Sequence, residues 1–357
     1  YIEDENGNRI IDFSDNNLHV LNYSEPVDKW LSLDDLKKHL YSDPDQPNAI
    51  PYVTSYYERR WGFCLEHKKL LSLKKGQYHA VIQSEIKPGV MNYGELIIKG
   101  KSNNEILLST YVCHPSMANN ELSGPAVTIA LAQWLTAQKN NRYTYRILFL
   151  PETIGSIVYL SLNADYMKRH TIAGFILTCM GDDREYSYLP SRKGNTLADR
   201  VAKNVLNQTV KNYIEYSFLV DRGSDERQYC SPKIDLPVCS VMRSKYGTYP
   251  EYHTSLDNFN LATIKGIDGG FRVTKEAIEI LLKKIIPKNK ILCEPQMGKR
   301  GLYPNLSTKK QNMLTKHYMD FLQYADGKND LNIISKKINI SLKLTKKTYL
   351  LLRKHNL

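Results

Sequence analysis

The spacing of apolar residues changes along the chain and indicates where strands and helices lie. Between residues 92 and 300, short apolar runs alternate with longer segments in which apolar residues recur every three or four positions. Continuous apolar strands that alternate with helices are typical of a mainly parallel sheet covered by helices on both faces. We therefore predict an α/β fold here. Strands are predicted at 94–100, 105–114, 143–151, 172–181 and 236–243, and helices at 123–138, 155–163, 195–209 and 263–284.

The first 91 residues follow a different pattern of short strands and turns. Asn6-Gly7 lies between two short apolar runs, a signal for a turn that joins two strands. Ser32 precedes a short helical segment with Asp34 and Asp35 in its first turn, where carboxylates favour a helix start. The sequence predicts a small β-rich domain over residues 1–91, followed by the α/β domain over residues 92–300.

The last part of the chain, residues 301–357, is basic and helical. Three helical segments begin near Leu306, Asp330 and Leu344, and the short connection between the last two resembles a helix-turn-helix or winged-helix unit. This part contains eleven Lys or Arg and three Asp, so it carries +8 of the formal net charge of +12. Such asymmetry indicates a separate basic module. DNA binding and contact with protein are both open for this module.

Composition limits the class of protein. Hydrophobic residues make up 42% and charged residues 24% of the chain, values typical of a folded globular protein. No apolar run reaches about 18 residues, so no membrane span is expected. The six cysteines form no Cys-x-x-Cys pair and lie mostly in apolar runs, which favours buried thiols in a reducing cytoplasm.

Polar and ionisable side chains follow the predicted strands directly. Ligands of parallel sheets bind at the carboxyl ends of the strands, so these side chains would line one edge of the sheet. Histidines and carboxylates together suit a divalent metal, zinc first. A carboxylate that is not a ligand could then activate metal-bound water. The groups are His114, Asn120-Glu121, Glu152-Thr153, Asp182-Asp183, Ser224-Asp225 and His253 with Asp257.

The order of these residues resembles that of the zinc aminopeptidases with a co-catalytic metal pair, a family that includes glutamate carboxypeptidase and the one-zinc glutaminyl cyclases. His114, Ser123-Gly124, Glu152 and His253 match the family pattern. The phrases CHPS, PETIGS and EYHTSLD resemble more closely a bacterial subgroup that is often encoded with surface-polysaccharide biosynthesis genes. That subgroup has an inserted β-domain and a winged-helix tail, which implies the same identity for the two flanking domains predicted above.

The resemblance implies a role for each matching residue. His114 and His253 would bind the metal, and Glu152 would be the general base. This chain differs from the family pattern at the bridging aspartate, where Asn120 stands, and at the second glutamate, where Thr153 stands. The resemblance therefore implies one zinc ion per chain instead of two.

Three further carboxylates are candidates for the remaining roles. Glu121 lies next to Asn120 and is a candidate metal ligand, although the helix dipole alone also favours a glutamate there. Asp182 lies near the family's later aspartate position and is another candidate ligand, with a turn residue as the alternative. Asp225 lies in a loop that resembles the family's Ser-Asp-His loop. It is a candidate catalytic residue that orients His253 or the substrate.

These residues predict a zinc-dependent hydrolase of an amide bond. The amide would belong to a small peptide, an aminoacyl group or an N-acyl sugar, the last because of the subgroup's gene setting. Two other classes remain open. One is a binding or scaffold protein that kept the fold without the metal pair, and the other is a regulator that binds DNA through its basic tail.

Overall fold

The computed structural model describes residues 1–303 and 313–357. Its first part is a small antiparallel sheet with two short helices, which agrees with the predicted β-rich character. The elements are β1 (Ile2–Asp4), β2 (Arg9–Ile11), β3 (Val27–Ser32), α1 (Leu33–Leu36), β4 (Leu40–Tyr41), β5 (Phe63–Cys64), α2 (His67–Ser72) and β6 (Gln77–Ile82). The sheet has the order β2-β1-β6-β3, and β4 pairs with β5 separately.

Local hydrogen bonds explain why this part folds as predicted. Gly7 has a φ of +78°, a conformation that glycine adopts without strain, in the turn between β1 and β2. The Asp4 carboxylate accepts hydrogen bonds from the backbone N–H groups of Asn6 and Asn8 and stabilises that turn. Ser32 accepts from the backbone N–H of Asp35 and caps α1.

The central part is a seven-stranded sheet with helices on both faces, so the predicted α/β class is confirmed. Its order is β12-β11-β13-β10-β8-β9-β7, and the inner strands β13, β10, β8 and β9 run parallel. The elements are β7 (Gly94–Ile98), β8 (Ser102–Tyr111), α3 (Ser123–Thr136), β9 (Tyr143–Leu150), α4 (Ile154–His170), β10 (Thr171–Ile176), β11 (Ser187–Leu189), α5 (Leu197–Thr209), β12 (Ile214–Glu215), α6 (Phe218–Asp221), α7 (Glu226–Tyr229), β13 (Val238–Met242) and α8 (Ile264–Lys283).

Two hydrophobic cores hold the helices on this sheet. Helices α3, α5 and α8 cover one face, and their core includes Leu131, Val201 and Ile278. Helices α4 and α7 cover the other face with Tyr159 and Tyr229. These side chains are at most 1% exposed, and full burial of a large apolar side chain stabilises a fold by about 1.5–3 kcal/mol. Because the inner strands are parallel, their carboxyl ends meet at one edge, where the candidate site residues follow them.

The C-terminal part is a helical unit. Its helices are α9 (Met313–Tyr324), α10 (Leu331–Lys337) and α11 (Leu342–Lys354), and they pack around Phe321, Ile334 and Leu352. Asp330 and Ser341 cap the second and third helices. The predicted start of the first helix, at residues 306–312, lies outside the described residues. Among the described helices, none combines the length and apolar character that crossing a bilayer requires.

Candidate metal centre

His114 is the first candidate ligand, and its ring has a fixed orientation. It follows β8, and its side chain is 10% exposed. Its Nδ1 lies 2.5 Å from Oε1 of Glu121, while its Nε2 lies 4.0 Å from Oε2 of Glu152. A carboxylate that accepts from one ring nitrogen leaves the other nitrogen free as a metal ligand. Burial lowers the pKa of His114, but the hydrogen bond and charge of Glu121 outweigh it and leave the pKa raised.

Glu121 is placed by an unusual turn. Residues Ala118–Leu122 form one π-helical turn before α3, a feature that is common at functional sites. The Asp257 carboxylate anchors this turn, since it accepts from the backbone N–H groups of Asn119 at 2.6 Å and Asn120 at 3.0 Å. Glu121 thereby contacts His114 with one carboxylate oxygen, and its other oxygen accepts a hydrogen bond from the backbone N–H of Cys113.

His253 provides the second imidazole. Its ring centroid lies 4.8 Å from that of His114 with the two rings tilted by 40°, and its ring stacks on Tyr252 at 3.8 Å. Its Nε2 is buried and has no hydrogen-bond partner among the described residues. Leaving such a nitrogen unpaired costs about 1–3 kcal/mol, a cost that a bound metal would remove. Burial and the charge of His114 lower the pKa of His253 to about 3, so the ring is neutral, as a metal ligand must be.

Glu152 projects from a strained turn at the end of β9. Thr153 has φ +62° and ψ −67°, and the backbone N–H of Ile154 donates to the carbonyl of Glu152 at 2.7 Å. These values describe a γ-turn of the strained kind, which persists only when the surroundings hold it. Burial raises the pKa of Glu152, which makes its carboxylate more basic and better suited to accept a proton.

Asp225 holds this turn. Its Oδ1 accepts from the backbone N–H of Thr153 at 2.7 Å and from Oγ of Ser156 at 2.8 Å. Burial raises the pKa of Asp225 to about 7. The hydrogen bond from the backbone of Thr153 lowers this pKa, and the negative charge of Glu152 raises it. Asp225 therefore acts on Glu152 through the backbone, and its hydrogen bonds within the described residues involve neither histidine.

Asp182, predicted as a candidate ligand, accepts hydrogen bonds from the loops around the site. It is fully buried, and its two oxygens accept from Asn119 Nδ2, from the backbone N–H of Arg184, and from the backbone N–H and Oγ of Ser244. It thus joins the loops that follow β8, β10 and β13. The structure brings His114, Glu121, Glu152 and His253 together and places Asp182 in this separate network.

Two residues of the site were not predicted from the sequence. Cys113 is exposed, in contrast to the buried thiols that the apolar runs predicted. Potential ligand atoms of Cys113, His114 and Glu152 all lie within 4.8 Å of one another. Tyr52, from the small domain, packs edge-on against His114 at 5.0 Å and His253 at 5.3 Å. The local signal for Cys113 was its position beside His114, whereas nothing in the sequence near Tyr52 indicates this contact.

The small domain docks on the His253 loop through backbone hydrogen bonds. The N–H of Tyr52 donates to the carbonyl of His253 at 2.9 Å, and the N–H of Ser255 donates to the carbonyl of Ile50 at 2.9 Å. A cavity of 730 Å³ borders this junction, with Tyr52 and Pro115 in its lining. None of His114, Glu152 and His253 lines this cavity, which adjoins the site through Tyr52 and Pro115 and has the size of a small-molecule site.

Comparison with known proteins agrees with the family resemblance. Residues 7–284 match a family described as a domain of unknown function, DUF4910, and residues 285–357 match a winged helix-turn-helix family. A Clostridium acetobutylicum protein, provisionally named a polysaccharide biosynthesis protein with an aminopeptidase-like domain, is 40% identical over 352 residues. The match covers 97% of this chain and 79% of the relative.

Solved structures are similar over the same region. The crystal structure of a provisionally identified peptidase from Clostridium acetobutylicum has a TM-score of 0.79 at 38% identity, over 99% of this chain and 80% of that chain. The zinc aminopeptidase BSAP of Bacillus subtilis has a TM-score of 0.55 at 12% identity, over 78% of this chain and 81% of that chain, and shares the fold. The chain belongs to the DUF4910 family, with an aminopeptidase-like α/β domain joined to a C-terminal winged-helix domain.

Proposed function

We propose that this protein is a zinc-dependent hydrolase of an amide bond. The observation that carries the proposal is the pair of neighbouring imidazoles, His114 and His253, in which Nε2 of His253 is buried without a hydrogen-bond partner among the described residues. The neutral state of His253 and the Glu121 contact that orients His114 both suit metal binding. We propose one zinc ion per chain, because Asn120 and Thr153 stand where the family pattern has carboxylate ligands.

The residues around the ion would have different roles in hydrolysis. His114 and His253 would hold the zinc, and Cys113 lies close enough to His114 to complete the ligand set. A bound zinc ion would polarise the substrate carbonyl and acidify water. Glu152 would accept the proton from that water and return it to the leaving amine, since burial has made it more basic. Asp225 would keep Glu152 in place through the Thr153 turn.

The substrate class follows from the cavity beside Tyr52 and from the relatives. We propose that the cleaved amide bond belongs to a small peptide, an aminoacyl group or an N-acyl sugar. The cavity combines apolar side chains such as Phe13 and Ile86 with polar groups such as Asn22 and Gln83. Apolar walls with a few polar groups suit a ligand of mixed character.

The first test is the zinc content of the purified chain, measured by elemental analysis after dialysis. We expect about one zinc per wild-type chain and none in the His114→Ala/His253→Ala variant. His355→Ala, which changes a histidine at the end of α11, is the matched control and should retain zinc. Wild-type protein that neither contains zinc nor takes it up when zinc is added would overturn the hydrolase proposal.

A second candidate function is a binding protein without catalysis. The observation that favours it is the pair of replaced carboxylates, since Nδ2 of Asn120 donates to the Tyr111 hydroxyl at 3.0 Å and Thr153 is held in the strained turn. Glu152→Gln separates the two candidates. In a hydrolase it should slow amide cleavage about 100-fold or more while zinc remains bound, whereas a binding protein would show no cleavage by the wild type.

The winged-helix domain suggests a macromolecular partner, and we propose DNA or another protein. A steep fall of DNA affinity with salt would support DNA, because phosphate contacts release counterions.

We also propose a cytoplasmic location. All six cysteines are free in the structure, as is usual in a reducing compartment.

A further inference from the structure

A second large cavity, of 790 Å³, lies where the central domain meets the winged-helix domain. Its central-domain lining includes Thr171 at the start of β10, Leu197 at the start of α5 and Pro237 just before β13. Lys288, Lys328 and further residues of the C-terminal domain line the other side. The cavity therefore borders the amino ends of the strands, whereas the metal centre follows their carboxyl ends.

The lining of this cavity is strongly basic. It contains two carboxylates, Asp235 and Asp326, and seven cationic side chains. The cationic residues are Lys168, Arg169, Lys193, Arg200, Lys288, Lys328 and Lys337. Asp235 is already bound by Arg192 and Lys193. The cavity therefore concentrates positive charge that its own carboxylates do not balance.

Four of these cations have no ionic partner in the described part of the chain. Lys168 and Arg169, at the end of α4, form no ion pair with a residue of 1–303 or 313–357, and the same holds for Lys288 and Lys328. Two come from the central domain and two from the winged-helix domain. Like charges that line one cavity repel, so an anion in the cavity would be attracted by residues of both domains.

Arg200, on α5, interacts with the charges of Asp330 and Asp199 but has unmade hydrogen bonds. Its Nη1 donates to the carbonyl of Asn195 at 2.5 Å, but its Nε and Nη2 are buried and have no partner among the described residues. The neighbouring carboxylate of Asp199 accepts from Thr196, Ser191 and Tyr188. Buried guanidinium N–H groups are normally satisfied, and the unused edge of Arg200 matches the fork geometry that binds a phosphate.

We propose that this cavity binds a small ligand carrying phosphate or pyrophosphate groups, held between Arg200 and Lys168 on one side and Lys288 and Lys328 on the other. Its volume is within the range of small-molecule sites. A cleft between two domains favours a small ligand over a nucleic acid duplex, whose backbone would contact only the opening of the cleft. The ligand would join the domains, so its binding would stabilise the folded protein by mass action.

The test uses the full chain and inorganic pyrophosphate, with thermal unfolding and calorimetric titration. Lys168→Gln and Lys328→Gln each remove one exposed cation, one from each domain. We expect pyrophosphate to raise the unfolding temperature of the wild type, and each variant to weaken its affinity about tenfold. Lys139→Gln changes an exposed lysine outside the cavity and should bind like the wild type. Equal responses in all four proteins, or no response in the wild type, would overturn the proposal.

Two further measurements separate this site from the other proposals. Pyrophosphate also chelates metals, so the His114→Ala/His253→Ala variant is titrated as well, and it should keep the wild-type response at the second cavity. The second measurement is the binding of duplex DNA by the same proteins. If Lys168→Gln and Lys328→Gln weaken DNA binding while pyrophosphate binds none of the proteins, the surface recognises nucleic acid and the small-ligand proposal fails.

Discussion

Glu121 makes contacts that suit a residue orienting a metal ligand. Both of its oxygens are engaged by groups of the protein, one with Nδ1 of His114 and the other with the backbone N–H of Cys113. Carboxylates in this position fix the ring and increase the basicity of the nitrogen that binds the metal. The structure therefore favours an orienting role over the direct ligation that the sequence suggested.

Glu121→Gln tests that role by its effect on zinc affinity. The amide keeps the shape of the side chain but loses the charge, so we expect zinc affinity to fall about 10- to 100-fold. Competition with a chromophoric chelator would measure the change. Glu85→Gln, at an exposed glutamate paired with Lys87, should leave the affinity unaltered. A loss as complete as that in the double-histidine variant would mean that Glu121 is itself a ligand.

At the scale of elements, His79 joins three strands of the small sheet. It lies on β6, with Nδ1 at 3.1 Å from Glu3 on β1 and Nε2 at 2.7 Å from Asp28 on β3. The hydrogen bond to Asp28, followed by that to Glu3, raises the pKa of His79. Arg9 also faces this group, through its contact with Glu3 at 3.4 Å. The sheet is therefore held partly by a histidine that carries a charge only at lower pH.

The raised pKa of His79 makes stability depend on pH. A group whose pKa is higher in the folded state binds its proton more tightly there, so the stabilisation is complete below the unfolded value of about 6.5. It is lost as pH rises through the folded value. We expect the stability that His79 contributes, measured as the difference in urea midpoint between the wild type and His79→Gln, to be larger at pH 5.5 than at pH 8.5. Tryptophan fluorescence would follow the unfolding, since Trp30 stacks on His79 at 4.8 Å.

His79→Gln provides the comparison for this effect. Glutamine does not titrate, so the variant should lose the part of the pH dependence that His79 contributes. The two proteins would then differ most at pH 5.5 and least at pH 8.5. Parallel pH profiles for wild type and variant would contradict the role of His79.

Elements differ in how well the sequence predicts them, and their length explains why. The strands β8 and β9 and the helix α8 span enough residues for an apolar pattern to appear, and all three were predicted. The strands β11 and β12, of three and two residues, were not. They form by pairing at the edge of the sheet, and β11 runs antiparallel to β13. So short an element carries no period of its own.

The same reasoning applies to the candidate site. His114 and Glu152 could be predicted to lie near each other because parallel strands end at one edge. The hydrogen bonding of Asp182 could not be predicted, because its donors belong to Asn119 and Ser244, which are distant in sequence. Strand order shows which loops meet, but hydrogen bonding within those loops decides which carboxylates remain free.

For the whole molecule, the main feature is that the small domain contributes a residue to the candidate metal centre. Tyr52 lies against both histidine rings, and its hydroxyl accepts from Asn22 and contacts Tyr56. This arrangement depends on the docking of residues 50–52 against the His253 loop. The small domain thereby covers one side of the site, and we infer that it restricts the escape of a bound ion as well as shaping the adjoining cavity.

Tyr52→Ala should therefore speed the loss of zinc. Removing the ring opens the site to water beside His114 and His253, and we expect zinc to dissociate roughly tenfold faster, a change of about 1.4 kcal/mol in the barrier. Tyr52→Phe keeps the ring and loses only the hydroxyl, so it should release zinc at close to the wild-type rate. Capture of released zinc by excess chelator would give both rates.

Tyr57→Ala controls for the loss of an aromatic side chain from the same segment, because Tyr57 is 98% exposed. It should not change the rate of zinc release. If Tyr52→Ala also leaves that rate unchanged, the small domain does not cover the ion, and its contact with the histidines has only a structural effect. If Tyr52→Phe accelerates release as much as Tyr52→Ala, the hydroxyl network with Asn22 and Tyr56 holds the cover closed, and the ring alone is insufficient.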